Sequence, residues 1–453
     1  MRIIRALGQR FDRFFGEPHS HAHVHGDGGR GASSTVTTSR TVRIVALALL
    51  AATAIATIWG LIALWPDGSK TGSATDTTSQ SVADTRYERA EVLDIVPECE
   101  GDVPGPCLLV TVGLETGPDS GQVVELPVRG PLAESGLRVG DQLELAARAG
   151  QGGGEEGASS GGEGTGTGQT DTDQANSAAD EPAYELKQEY GASGVFRGLP
   201  LALLTLVFAA VVIAVGRLRG LLALIALGIS AYVLLAFVIP ALISGSPGLA
   251  VALVGSSTIM FVILYLVHGP NMRTTAALIG TLCGILIMAG VSLIAVQTTR
   301  LSGIGDEASS ALSTTMSQID FRGLLSASII IAGLGILNDV TITQSSSVWE
   351  LRAAAPEMSR REIYASAMRI GRDHIASTVY TVFFAYVGAA VSVLILLYLF
   401  DRPLLSLLTH EDIAIEIVRT LCGSIGLVLA VPITTWVATL FVPAADERGA
   451  AGA

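Results

Sequence analysis

The chain has 453 residues, 49% of them hydrophobic and only 15% charged, with a mean hydropathy of +0.52 and a formal net charge of −13. So apolar a composition over this length excludes a soluble globular enzyme and points to a protein that crosses a membrane several times. Residues 66–198 hold 24 acids and 8 bases, a net −16 that leaves the rest of the chain near +3, and this acidity argues against nucleic acid as a partner.

Residues 1–43 read as a mobile cytoplasmic tail. Within it His19, His21, His23 and His25 alternate with other residues. Alternating imidazoles in a flexible tail can chelate a divalent metal such as Zn²⁺, Ni²⁺ or Cu²⁺. No cysteine or carboxylate completes a defined site, so an incidental polar tail stays open beside metal capture, and no other cofactor is expected. Residues 44–65 form the first apolar run. It is too long for the core of a signal peptide and no small-residue cleavage site follows, which makes it a permanent anchor. Arg40 and Arg43 precede it and Asp67 follows, so the N-terminus is expected in the cytoplasm.

Residues 66–148 then lie outside the cell and read as a small all-β, barrel-like domain. Its expected strands are Ala90–Val96, Leu108–Glu115, Gln122–Val128 and Gln142–Ala147, with a turn at Thr116–Gly121. Cys99 and Cys107 lie in this compartment, where a disulfide persists, and their spacing suits a small closed loop. Cys283 and Cys422 lie in apolar runs and read as small packing residues. Residues 149–198 form a linker and pre-membrane segment. Its Gly/Ser/Thr/Glu-rich part, 149–182, has too few apolar residues to pack.

Seven further apolar runs follow, at 199–216, 221–243, 249–267, 275–296, 323–345, 375–399 and 418–442. Roughly 20 residues suffice to cross a bilayer. The fold class expected is therefore a polytopic α-helical membrane protein of about eight spans, the last seven forming one domain over 199–442, with a cytoplasmic tail at 443–453. Arg217, Arg219, Arg273 and the basic loop 346–374 all fall on the side of the N-terminus. The loop 297–322 falls outside, and its Gly303–Glu307 stretch reads as a solvated turn carrying two carboxylates.

The run 323–345 contains Asn338 and Asp339. A carboxylate near hydrocarbon costs several kcal/mol, so it usually faces a protein interior or a polar path. Ser328, Ala332, Gly335, Asp339, Thr343, Ser346 and Glu350 recur at spacings of three and four and share one helical face. The next run offers His374, Thr378, Thr381, Ala385, Gly388 and Ser392. Asp339 sits about 9 Å in from Ser345, with Thr378 and Thr381 at similar depth on an antiparallel neighbour. The expected cluster is Asn338, Asp339, Thr343, Thr378 and Thr381, with Arg372 and His374 at its inner mouth. Burial favours the neutral form of a carboxylate and a nearby cation the charged form, so such a group can exchange ions with conformation. A purely structural contact that fixes helix register is the alternative.

Between the two runs, Ser359-Arg-Arg-Glu362 is a capping box that starts an amphipathic helix with Ile363, Tyr364, Ala367 and Ile370 on its apolar stripe. Gly371 is expected to stop it, leaving a short surface helix able to lever the flanking spans. Pro432 is a candidate kink in the last span.

The run Gly333–Leu351 with its Asn338-Asp339-Val-Thr-Ile-Thr-Gln344 centre, Gly371-Arg-Asp-His374 followed by Thr378 and Thr381, and Arg419-Thr-Leu-Cys-Gly-Ser-Ile-Gly426 with Pro432 resemble the YibE/F family of bacterial membrane proteins. Thr116–Gln122 and Gly140-Asp141 look like that family's outer domain. The resemblance covers about 86–148 and 184–442. It implies a multi-pass protein of the bacterial plasma membrane, fits a transporter and names no substrate. A partial likeness over 323–399 links the Asn-Asp helix to SecD/SecF and the resistance-nodulation-division permeases, which implies a proton-using carboxylate. In this chain, however, that helix is the sixth span and the outer domain is small.

The function expected is an ion- or proton-coupled permease of a small solute or ion. The alternative is a non-transporting scaffold or sensor whose outer domain binds an envelope protein, or that assembles with copies of itself. No His-Glu-x-x-His, paired-Asp or Gly-x-Ser-x-Gly motif supports an enzyme.

Overall fold

The computed structural model describes residues 40–66, 85–97, 106–149, 188–316, 318–399 and 403–443. His19, His21, His23 and His25, together with Cys99, the linker 150–187 and the tail after 443, lie outside them. The chain divides into two compact units, residues 75–207 on the one hand and 1–74 with 208–453 on the other.

The smaller unit is a five-stranded antiparallel sheet. Its strands are β1 (Thr85–Val96), β2 (Cys107–Leu114), β3 (Val123–Arg129), β4 (Gln142–Ala149) and β5 (Gln188–Val195), in the order β3-β2-β1-β4-β5. Buried residues alternate along β2, and Val92, Val110, Val112, Leu143, Leu145 and Ala147 are fully enclosed. The two edge strands approach each other, so the sheet curls around that core. A bulge in β1 between Val92 and Asp94 adds local twist. The four expected strands are present within a few residues of their expected bounds. The fifth, β5, falls in the segment read as linker and pre-membrane chain. Its core-facing residues are Tyr190, the small Ala192 and, at its end, Val195, with three glycine or serine residues between, so its β-branched signature is weak.

The turn between β2 and β3 folds over buried carboxylates. Gly117 has φ +94°, and a Cβ there would collide with the Glu88 carboxylate. The Tyr190 hydroxyl donates to Asp119 Oδ2 at 2.9 Å and lies 3.3 Å from Glu88 Oε2. Burial, the hydrogen bond to Asp119 and the charge of Glu88 together push the Tyr190 phenol above its ordinary value. Cys107 is disulfide-bonded, while Cys99 lies outside the described residues.

The larger unit is helical. Its elements are α1 (Arg40–Ala63), α2 (Gly198–Val233) continuing through a π-helical turn (Leu234–Val238) into α3 (Ile239–Ile243), α4 (Gly248–His268), α5 (Met272–Thr299), α6 (Glu307–Thr315), α7 (Phe321–Ala354), α8 (Arg360–Ala389), α9 (Val391–Leu399), α10 (Leu404–Leu408) and α11 (Glu411–Phe441). Among the described residues, six helical stretches are long and apolar enough to cross a membrane: 41–63, 198–243, 248–268, 272–299, 321–354 and 411–441. The second, at about 69 Å if straight, exceeds a hydrocarbon core of about 30 Å. It is broken at Arg217, whose φ is 51°. A Cβ on Gly220 would collide with the Val212 carbonyl. Residues eight apart on a straight helix are about 12 Å apart, so the chain doubles back here. The runs expected as separate spans at 199–216 and 221–243 are the two arms of this hairpin. The π-helical turn lies just before Pro240, which has no N–H to continue the α-helical ladder.

The stretch expected as one span at 375–399 is interrupted. α8 ends at Ala389, next to Gly388, and α9 resumes at Val391. α8 also corrects the expectation of a short surface helix. The capping box at Ser359 and Glu362 is present in both halves, but the helix runs through Gly371 to Ala389. Gly371 is buried, and a Cβ there would lie 2.8 Å from Val431 Cγ1 and 3.0 Å from Gln344 Oε1. Its missing side chain admits a neighbour, and packing overrides the local stop signal. Pro432 likewise sits inside a continuous α11.

Candidate functional site

α5, α7 and α11 pack on one another as the central trio; α4 lies against α5 and α7, and α8 against α7 and α11. The buried seam of the trio carries hydroxyls and an amide. Thr281 Oγ1 and Thr341 Oγ1 are 2.6 Å apart between α5 and α7, and both residues are fully buried. Gln344 Nε2 donates to the Ala367 carbonyl on α8 at 2.9 Å and to Thr435 Oγ1 on α11 at 2.8 Å. Ser345 Oγ donates to the Arg273 carbonyl at 2.8 Å. In an apolar surrounding such bonds satisfy groups that no water reaches, and they tie three helices at one depth.

Asp339 lies on the other side of α7. Val340, Thr341 and Gln344 face the trio, whereas Ala332, Gly335, Asp339, Thr343 and Glu350 face outward together. The expected small and polar seam is therefore one face, and it is an open one: nothing lies within 4 Å of where a Cβ would stand on Gly335, nor on Gly388 of α8. The Asp339 side chain is 72% exposed, and its Oδ2 is 3.9 Å from His374 Nε2 across the gap to α8. Asn338 Oδ1 is buried with no hydrogen-bond partner, and so is His374 Nε2.

Of the expected cluster, Asp339 and His374 are brought together. Thr378 is buried, but its hydroxyl donates to the His374 carbonyl of its own helix at 2.8 Å. Thr381 does the same to Ser377 at 3.2 Å and is exposed. Thr343 and Arg372 are exposed. Among the described residues no group of three or more His, Cys, Asp or Glu side chains is placed to hold a metal.

A second feature opens where the first turns of α7, the end of α8, α9 and the start of α11 meet the segment before α6. It is a cleft of about 720 Å³. Gly303, Gly305, Asp306 and Glu307 form one lip, Asp412, Glu416 and Arg419 line the α11 side, and Ser328 and Tyr386 line the walls from α7 and α8. Glu411 pins the lip to α11, accepting from the Ser302 amide at 2.7 Å, the Ser302 hydroxyl at 2.5 Å and the Gly303 amide at 3.2 Å. Asp306 caps α6 by accepting from the Ser309 amide at 2.6 Å, and this bond holds its carboxyl below the usual range. Arg419 Nη1 donates to Glu416 Oε1 at 2.6 Å, while Arg419 Nε is buried without a partner.

The family model described as YibE/F-like protein matches residues 204–444, just over half of the chain. The chain belongs to the YibE/F-like family. No curated protein and no solved structure matches it. The match covers the whole trio, the Asp339–His374 pair and the cleft of this YibE/F-like protein. Two groups of functional interest escaped the sequence reading. Gln344 stands inside the Gly333–Leu351 run but was passed over for the charged Asp339. The Gly303–Glu307 lip was read as solvated loop. The signal for it was Glu411 at the start of a span, a carboxylate free to reach the glycine-rich backbone.

Proposed function

We propose that this YibE/F-like protein is an ion- or proton-coupled transporter of a small solute in the bacterial plasma membrane, and not an enzyme. Eight crossings place both termini in the cytoplasm and residues 66–198 outside. Supporting this sidedness, the Arg217–Arg219 bend, Arg273 and the α7–α8 connection with Arg352, Arg360 and Arg361 fall on one side of the bundle's sequence order.

The observation that carries the reading is the Asp339–His374 pair at 3.9 Å, on an open lateral face of a helix apolar enough to span the membrane. An ionised carboxylate at the centre of a span costs about 2.5–3.5 kcal/mol on insertion scales. Taking up a proton or a cation, or closing on a protonated His374, removes that cost. The group therefore prefers different occupants in different arrangements of α7 and α8, which is what coupling requires. α8 carries His374 in mid-helix and runs unbroken from its cytoplasmic cap. Movement at its basic end is thus transmitted to the pair.

A growth profile across metals, pH, salts and envelope stresses tests this in cells lacking the chain, complemented with wild type or Asp339→Asn at equal expression. Coupling requires a condition that wild type rescues and Asp339→Asn does not, and that condition names the solute class. Equal rescue makes Asp339 structural. The open face around Gly335 and Gly388 supports a second reading, a non-transporting scaffold or sensor that receives another helix on these small residues. Equal rescue would favour it.

A further inference from the structure

The cleft between α7, α8–α9 and α11 combines three features. Its volume, about 720 Å³, falls in the range of small-molecule sites, about 300–1,000 Å³. One wall is apolar, with Leu324, Val393 and Leu396. Its charge is unbalanced: four carboxylates (Asp306, Glu307, Asp412 and Glu416) face one guanidinium, that of Arg419.

The floor is unusual for its place. Glu416 and Arg419 stand at the entry of the apolar run 418–442, five to eight residues from the start of α11. Their side chains remain only 24% and 28% exposed. Taking an ion pair out of water costs desolvation that the pair recovers only in part. Asp306 is committed to the α6 cap and Glu416 to Arg419, whereas Asp412 has His410, 3.7 Å away, as a partial counter-charge. The lip is held open from below by Glu411, which is spent on backbone amides and the Ser302 hydroxyl.

We infer that this cleft binds a small organic cation with an apolar body, drawn in by Glu307 and Asp412 and seated by Glu416 in exchange for Arg419. The apolar wall takes the body of the ligand. The freed Arg419 stays in the field of the Asp306 carboxylate, so the four carboxylates then face two cations in place of one. An anion of the same shape meets the acidic lip first and is refused. This names the solute class for the transporter proposed above and depends on that reading for its use, but binding is measured without transport.

The test is equilibrium binding of radiolabelled tetraphenylphosphonium to the purified full chain in detergent, with tetraphenylborate as an anion of matching shape. Wild type should bind the cation saturably and the anion at least tenfold more weakly. Glu416→Gln should weaken cation binding at least tenfold, and Glu307→Gln combined with Asp412→Asn several-fold. Because Glu416→Gln removes an ion pair in the absence of ligand and can disturb the region, Val393→Trp serves as a second variant. It fills the wall, keeps every charge and should also abolish saturable binding. Equal binding of both probes, or cation binding unchanged in Glu416→Gln and Val393→Trp alike, overturns the assignment. Loss of transport coupling with cation binding intact sinks only the coupled reading; absence of saturable cation binding sinks the cleft whatever transport shows.

Discussion

At the scale of the residue, polar groups in the helical unit divide into those that lock helices and those left open. Gln344 belongs to the first kind. Its amide joins α7 to the Ala367 carbonyl and to Thr435. Gln344→Leu keeps the volume but strips both acceptors of their donor. Hydrogen bonds of this kind are worth about 0.6–1.7 kcal/mol inside membranes. The variant should therefore lose stability by about that amount, read as a lower midpoint in a detergent denaturation series, with the fold retained. A midpoint unchanged from wild type would show the bonds to be idle. Asp306 offers a test by pH. Hydrogen bonds from Ser309 depress its carboxyl, so the cap's contribution is complete above the unfolded carboxyl value of about 3.9 and is lost as pH falls through the lower folded value. Hydrogen-exchange protection of the Ser309 amide should collapse in that acid window and, in Asp306→Ala, be low at every pH. Which residues matter was half legible. Asp339 announced itself as a charge in an apolar run, and the period of its face was correct. Which way that face turned was not legible from its own period, because the helices packed on the opposite side, α4, α5 and α11, decide what is buried.

At the scale of the element, α8 shows where local signals lose. The cap at Ser359 was readable because a capping box is a local motif. The stop at Gly371 failed because the glycine is there for a neighbour. Two effects oppose each other in Gly371→Ala. Helix propensity gains roughly 0.5–1 kcal/mol, while a methyl 2.8 Å from Val431 Cγ1 and 3.0 Å from Gln344 Oε1 costs about 1–3 kcal/mol by overpacking. Overpacking wins, so the variant should be destabilised relative to wild type. A more stable Gly371→Ala protein would mean that the helix end, not the contact, sets this position. Tertiary context likewise sets β5, which is held by its ladder with β4 and not by strand propensity. It also explains the hairpin at Arg217, which reads in sequence as a basic loop between two runs and in the structure as a single residue of positive φ.

At the scale of the molecule, hydropathy and charge partition were the most legible features. Apolar length is written in consecutive residues, and the acid excess is confined to one segment. The arrangement of the helices was not legible, because the trio is assembled by contacts between residues far apart in sequence, such as Thr281 with Thr341 and Gln344 with Thr435. That arrangement leaves a locked centre, an open carboxylate–imidazole pair midway along α7 and α8, and a charged cleft at the first turns of α7 and the end of α8. A solute in the cleft and an ion at Asp339 would thus act on the same two rods. The most direct measurement is proton movement in proteoliposomes with an entrapped pH dye, under an imposed pH gradient and with the solute named by the growth profile. Coupling through Asp339 predicts that wild type dissipates the gradient faster than empty vesicles when the solute is present, and that Asp339→Asn falls to the empty-vesicle rate. Equal rates for wild type and Asp339→Asn would contradict it.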